Sequence, residues 1–322
     1  MERDKEQTVP NILKRLAHSL GTEVKNGRLE IPEKFGQGYC TGFVFNEHIR
    51  MLICNYELND DLAVENPDIN TSKRTIFFKF QNIFPNTKKL SKGKHLKGMP
   101  SVLIATSRIN SDDVISIHTN TAVINIELDA NYLNGLFNLS EKSPVLQSLL
   151  QNTQPLLFEQ MIYPSLQKIV DEIVSESVDE TFKLFFLRVK AEELVCRLLM
   201  ELEKRDEKHL YDLNIHDIQA IYKVKEQMLE HLETPPVIKE LAVRANMSPT
   251  KLKRLFRQIF GNSIFNYYQE FRMKEAALLL KNEKLSVSDV GYQLGFTNLS
   301  HFSRVFKEHI GTKPKQYSRL LF

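Results

Sequence analysis

The fold of the C-terminal third is decided by the stretch Gly295-Phe296-Thr297-Asn298-Leu299-Ser300-His301-Phe302-Ser303-Arg304-Val305-Phe306-Lys307. Asn298 is a favourable N-cap for the helix that should follow it. At 100° per residue, one face of that helix carries the apolar residues Phe302, Val305 and Phe306. The opposite face carries the polar residues Ser300, Ser303, Arg304 and Lys307. The stretch therefore predicts a helix with one packed face and one basic face.

The same pattern occurs 50 residues earlier in the chain. The first copy consists of Leu252, Arg254, Phe256, Arg257, Gly261 and Tyr267, and the second of Phe302, Arg304, Phe306, Lys307, Gly311 and Tyr317. Six matched positions at a constant offset are more than shared helical periodicity explains, so they indicate an internal duplication.

Each copy predicts a supporting helix, a tight turn and a second helix, which are the parts of a helix-turn-helix. In the first copy, residues 237–245 form the support, Ser248 caps the second helix and Gly261 ends it. Its polar face should carry Thr250, Lys253, Arg254 and Arg257. A solvated helix surface is the ordinary interpretation of one such stripe, but the duplication favours nucleic acid. A long amphipathic helix over residues 264–280 should hold the two units at a fixed separation.

Basic charge is concentrated in the same region. Residues 216–322 hold 17 Lys and Arg against 10 Asp and Glu, while the whole chain of 322 residues holds 43 against 40. Many solvated helical surfaces carry such an excess, so the charge alone is weak evidence for nucleic acid. Its placement on the duplicated helices makes double-stranded DNA the expected partner. The charged N-terminus leads into no signal-peptide core and no apolar run reaches the roughly 18 residues that span a bilayer, which predicts a cytoplasmic protein without membrane contact.

The N-terminal two thirds predict an α+β, multidomain chain. Short β-branched and aromatic runs over residues 28–128 predict a barrel or sandwich, and helices are expected over 158–176 and 180–205. The second helix has a stripe typical of a helix-pairing face, at Leu184, Leu187, Ala191, Leu194 and Leu198. Packing within the chain and dimerisation are both open explanations of this stripe. The expected division is a β-rich sensor over 1–145, a helical connector and dimerisation region over 146–215 with a linker at 206–215, and a DNA-binding domain over 216–322.

Residues 218–322 resemble the DNA-binding domain of the AraC/XylS family, because the quoted stretch, Gly311, Tyr317 and the first unit's Met247-Ser248 match its signature. Gly291 departs from the pattern, since alanine is usual there. The resemblance implies that bases are read by Thr250, Lys253, Arg254, Leu299, Ser300, Ser303 and Arg304. From their chemistry, Arg257, Asn298 and Lys307 are expected to hold phosphates, and the cap Ser248 completes the DNA-binding set. The family further suggests an activator that contacts RNA polymerase and has a barrel-like sensor, an effector and paired protomers.

Residues 185–194 are similar to a helix of siderophore-responsive regulators, while the effector's identity and existence stay open. An enzyme is the competing class, yet His48, His95 and His118 are isolated, and no catalytic, metal or cofactor site is expected. Cys40, Cys54 and Cys196 are expected to be reduced core residues. The four-cysteine cluster of DNA-repair members is missing, which disfavours a repair enzyme. A DNA-binding protein without an effector or a defined site stays an alternative.

Overall fold

The structure is a computed structural model, and it describes residues 9–65, 74–83, 99–107, 114–117, 120–137, 143–205, 210–282 and 285–319. Contacts divide the chain into two compact units, Met1–Asn214 and Ile215–Phe322. The predicted linker falls partly outside the described residues, and its last residue already begins a helix. The three-part division proposed from the sequence stays a prediction.

The first unit is built on antiparallel strands. These are β1 (Arg28–Glu30), β2 (Gly36–Val44), β3 (Ile49–Leu58), β4 (Leu62–Glu65), β5 (Thr75–Gln81), β6 (Ser101–Thr106), β7 (Val114–Ile117), β8 (Asn120–Asp129) and β9 (Leu157–Met161). Seven of them form one sheet in the order β1-β2-β3-β8-β5-β6-β9, and β4 pairs with β7. Within the described ranges β1 and β9 are edges that do not pair with each other, so the expected barrel is corrected to an open sheet.

Helices pack against both faces of this sheet. They are α1 (Asn11–Ser19), α2 (Ala130–Leu136), α3 (Pro144–Gln151), α4 (Pro164–Ser175) and α5 (Glu180–Glu203). Because side chains alternate along a strand, Met51 and Ile53 of β3 join the larger core with α2 to α5, while Cys54 and Leu58 pack with α1. In the described part of the chain, the two apolar clusters of the sheet are therefore each completed by helices.

The expected helix over residues 158–176 is wrong at its start. Leu157–Met161 is a strand that pairs with β6, from Ala105 opposite Leu157 to Ser101 opposite Met161. Only after it does α4 begin, with Pro164 at its first position. A short buried apolar run cannot be assigned to helix or strand by periodicity alone. Here the run forms a strand because its backbone pairs with the edge of β6.

The leucine stripe of α5 packs mainly inside its own unit. Leu187, Ala191, Leu194 and Leu198 are buried in the larger core, and only Leu184 is exposed. Of the two explanations left open for this stripe, packing within the chain is the one that the structure supports. The interpretation of the stripe as a dimer face is wrong, because the sheet and the other helices already cover these residues. The other side of α5 exposes large apolar residues, namely Phe182, Phe185, Val189 and Met200. Within the described ranges, no helix combines the length and apolar character needed to cross a bilayer.

The cysteines of this unit do not share one environment. Cys40 and Cys54 are buried and lie directly opposite each other on β2 and β3. The hydrogen bond with the Cys54 thiol, together with burial, raises the pKa of the Cys40 thiol. Cys196 on α5 is exposed, so its assignment to the core is wrong.

The second unit is entirely helical where it is described. Its helices are α6 (Ile215–Glu230), α7 (Ile238–Arg244), α8 (Pro249–Phe260), α9 (Ile264–Asn282), α10 (Val287–Gln293), α11 (Leu299–Ile310) and α12 (Pro314–Arg319). Helix α9 packs through Met273, Ala276 and Leu280 against α10 and α11. The order places two short-helix pairs on either side of one long helix.

Candidate DNA interface

The first helix-turn-helix is formed by α7 and α8. After α7 the chain reverses at Asn246, whose φ is 51°, and the backbone N–H of Met247 donates to the carbonyl of Ala242 at 3.0 Å. The Ser248 hydroxyl accepts from the N–H of Lys251 at 3.2 Å, which caps α8. Gly261 ends α8 with a φ of 69°, a conformation that glycine adopts without steric cost. The predicted cap and stop residues of α8 are confirmed.

Helix α8 separates apolar and polar side chains as the sequence predicts. Its inner face buries Leu252, Leu255, Phe256 and Ile259. The candidate residues on its outer side are all exposed, namely Ser248, Thr250, Lys253, Arg254 and Arg257. Lys251 lies in the same helix but forms an ion pair with Asp217 of α6 at 2.8 Å. Its position ties α8 to α6, a contact that sequence spacing alone did not indicate.

The second helix-turn-helix is formed by α10 and α11. Ser286 and Asp289 cap α10 reciprocally, and the Asn298 side-chain oxygen accepts from the N–H groups of Ser300 at 2.9 Å and His301 at 3.1 Å. Helix α11 ends at Gly311, whose φ is 89°. The predicted cap Asn298 and the end of the helix at Gly311 are thus confirmed, whereas the capping of α10 by Ser286 and Asp289 was not predicted.

The outer side of α11 is basic but less uniformly exposed than that of α8. Asn298, Ser300, Arg304 and Lys307 are exposed, whereas Leu299 and Ser303 are half-buried. The Leu299 side chain packs toward α10, where a Cβ added to Gly291 would lie 2.8 Å from its Cδ2 atom. Alanine at position 291, as in the family pattern, would therefore require the end of the Leu299 side chain to shift.

The duplication is visible in the packing as well as in the sequence. The rings of Phe256 and Tyr267 meet edge to face at 5.5 Å between centroids, and those of Phe306 and Tyr317 do so at 5.7 Å. Both pairs keep the offset of 50 residues.

The two supporting helices are related by an offset of 49 residues instead, since α7 begins at Ile238 and α10 at Val287. The second turn is therefore one residue longer, a difference that the sequence comparison missed.

Of the three histidines singled out as isolated, only His48 lies among the described residues. His48 stacks on the ring of Tyr132 with 4.7 Å between centroids, and His95 and His118 lie outside the described residues. In the described part of the chain, no group of three or more His, Cys, Asp or Glu residues is arranged to hold a metal ion.

A family model described as a helix-turn-helix domain matches residues 241–320. The chain is 34% identical over 108 residues to the HTH-type transcriptional regulator GbdR of Pseudomonas aeruginosa strain PAO1, which is 34% of this chain and 29% of GbdR. It is 35% identical over 80 residues to the arabinose operon regulatory protein of Escherichia coli, which is 25% of this chain and 27% of that protein. The chain thus spans less than a third of the length of these relatives.

Among solved structures, the DNA-binding domain of AdpA, a global transcriptional factor in complex with a target DNA, is 28% identical. That match covers 31% of this chain and 91% of AdpA's domain, with a TM-score of 0.30. The C-terminal region is a helix-turn-helix domain, and it is of the AraC/XylS type.

Proposed function

We propose that this chain is a sequence-specific DNA-binding transcription regulator that uses α8 and α11 as two recognition helices. The observation that carries the proposal is the duplicated exposure of Arg254 and Arg304 on the outer sides of two capped helices. Helix N-termini present backbone N–H groups and a positive dipole end, both of which favour contact with phosphate. A helix with such an N-terminus and a basic outer face is suited to lie in the major groove of DNA.

The roles of the side chains follow from their chemistry and position. Arg254 and Arg304 can each bridge O6 and N7 of guanine, and Lys253 can donate to the same acceptors. Thr250, Ser300 and Ser303 can bond to bases, and the open part of Leu299 can contact a thymine methyl group. Phosphates would be held by Ser248, Arg257, Asn298 and Lys307, which fixes the register of the helices on the duplex.

Helix α9 sets the separation of the two units. Its 19 residues span about 28 Å at 1.5 Å per residue. Recognition helices that enter successive turns of a major groove on one side of the duplex lie about 34 Å apart. The length of α9 together with the helices packed at its ends is of that order, so both helices would engage one site.

The test begins with selection of a preferred duplex from a random pool, followed by footprinting and affinity measurements on it. Arg254→Ala and Arg304→Ala should each weaken specific binding by about 1–3 kcal/mol and relax the preference at separate positions. Lys168→Ala, at an exposed lysine of α4 in the other unit, is the charge-matched control and should change neither. Unaltered protection by both arginine variants would remove the assignment.

Competitor titration separates a regulator from a DNA-binding protein without a defined site. A regulator should prefer its site over random duplex by roughly 10³-fold or more.

We also propose that the protein is an activator, that it contacts RNA polymerase, and that its N-terminal unit binds an effector. Transcription in vitro from a promoter that carries the selected site, with and without this protein, tests the direction of regulation.

A homodimer is also proposed, now through the other side of α5. Phe182 is 63% exposed, Phe185 70% and Met200 60%, and such an apolar surface is typical of interaction sites. Phe185→Asp should abolish association in analytical ultracentrifugation, whereas Leu184→Asp, at the exposed end of the buried stripe, should affect it less. Only monomer at micromolar concentration of the wild type would refute the dimer.

A further inference from the structure

The two helix-turn-helix units differ in the length of their turns. Three residues, 245–247, separate α7 from the cap Ser248, whereas four residues, 294–297, separate α10 from the cap Asn298. Each added residue brings backbone freedom that folding must remove. The direction of α11 is therefore less determined by its own turn than the direction of α8, and a contact from outside the turn is needed to fix it.

Arg272 of α9 supplies such a contact. Its side chain is 4% exposed, and its Nη2 donates to the carbonyl of Leu294, the first residue of the turn. Its Nη1 donates to the Gln269 side chain at 2.8 Å. The guanidinium carbon lies 4.1 Å from the ring centroid of Phe296, the third residue of the turn, and 5.1 Å from that of Tyr268. One planar group thus holds two residues of the long turn.

The turn also lies close to the segment that follows α6. Gly295 has a φ of 77°, and a Cβ at this position would lie 2.2 Å from the carbonyl oxygen of Glu233. The Tyr268 hydroxyl donates to the carbonyl of Leu232 at 2.7 Å, which joins α9 to the same segment. The turn is consequently fixed between α9 and the chain that follows α6.

A charge in this place is costly, which argues against simple space filling. Burial lowers the pKa of Arg272, although an arginine stays charged at neutral pH. Its Nε atom is buried and has no hydrogen-bond partner within the described residues. A well-packed apolar residue in place of a buried charge is often neutral or stabilising, so the benefit of Arg272 should lie in orientation rather than in stability.

We propose that Arg272 is a positioning residue for the second recognition helix: by fixing Leu294 and Phe296 it sets the direction in which Ser300 and Arg304 meet DNA. This inference rests on the proposed DNA-binding function. It predicts that Arg272 determines sequence discrimination in the half of the site that α11 reads, without touching DNA itself.

The experiment uses the full chain and a panel of duplexes with single base changes in either half of the selected site. For the wild type, a change in either half should weaken binding by roughly 5–150-fold. Arg272→Met keeps much of the side-chain volume but removes the charge and the planar donors. It should reduce the penalties in the α11 half to within about threefold and leave those in the α8 half unchanged. Lys274→Met, which removes an ion pair with Glu270 on the same helix, is the control and should behave as wild type.

The pattern of discrimination separates positioning from loss of folded protein. A smaller folded fraction weakens binding to every duplex by one factor and leaves all ratios intact. Full discrimination in the α11 half by folded Arg272→Met would overturn the proposal. If that variant unfolds, Arg272→Lys serves instead, since it keeps the charge and a donor but not the planar fork. An intermediate ratio supports the proposal and a wild-type ratio overturns it. A wild type without any preferred sequence would show instead that the proposed function has failed.

Discussion

Replacing Gly291 by alanine should change the stability of α10 through two opposing effects, a gain in helix propensity and a cost of crowding. Alanine is favoured over glycine in a helix interior by about 1 kcal/mol. The new Cβ, however, would lie 2.8 Å from Leu299 Cδ2 and 3.3 Å from Phe302 Cδ1. Crowding a packed core in this way costs about 1–3 kcal/mol. Gly291→Ala should therefore destabilise α10 and α11 by up to about 2 kcal/mol.

Two matched variants isolate the crowding from the helix propensity. In a Leu299→Ala background the nearest crowding methyl is gone and only the 3.3 Å approach to Phe302 remains, so Gly291→Ala should there stabilise by up to about 1 kcal/mol. In the first unit Ala242 occupies the equivalent place, because its carbonyl accepts from Met247 as that of Gly291 accepts from Phe296. Ala242→Gly should accordingly cost about 1 kcal/mol.

Hydrogen exchange of backbone amides in the full chain, followed by mass spectrometry of peptides from α10 and α11, measures these free energies where they act. The Gly291→Ala effect should change sign between the two backgrounds. Equal stabilisation in both backgrounds would show that Leu299 does not crowd position 291, and the explanation of this glycine would fall.

Three further outcomes are expected. Arg257→Ala should weaken binding to all sequences and reduce the slope of log affinity against log salt by about 1, as measured by titration at several salt concentrations; an unchanged slope would argue against a phosphate contact. Asn298→Ala should lower the exchange protection of the first turn of α11 by about 0.5–2 kcal/mol, and Ser248→Ala, which loses a single 3.2 Å bond, should cost α8 less. A thiol reagent should modify Cys196 in the native protein within minutes but leave the buried Cys40 unmodified, because the hydrogen bond with Cys54 and burial raise the pKa of that thiol; rapid reaction of all three cysteines would contradict the structure.

The second unit could be predicted closely from the sequence because its signals are local. Caps such as Ser248 and Asn298, and stops such as Gly261 and Gly311, are set by the chemistry of one or two residues. The spacing of apolar residues then fixes which side of each helix packs. The burial of Arg272 was beyond such reasoning, because it depends on the turn 294–297, more than 20 residues away.

The first unit was predicted less well because its structure depends on distant partners. The strand Leu157–Met161 exists through pairing with β6, and the stripe of α5 is buried by a sheet that lies far earlier in the chain. Periodicity showed that Leu187 and Leu194 face an apolar partner but could not say which. In the same way, Leu299 was predicted to contact DNA, and nothing in the sequence indicated that part of its side chain packs against Gly291.

The position of β9 determines how the first unit can be divided for experiments. A fragment that stops at residue 145 would leave the backbone groups of β6 unsatisfied along one side and open the large apolar surface that α3 to α5 cover. Exposed strands of this kind recruit other chains and aggregate. A soluble N-terminal piece should therefore extend to about Asn214, so that the end of the sheet and its helical cover are kept together.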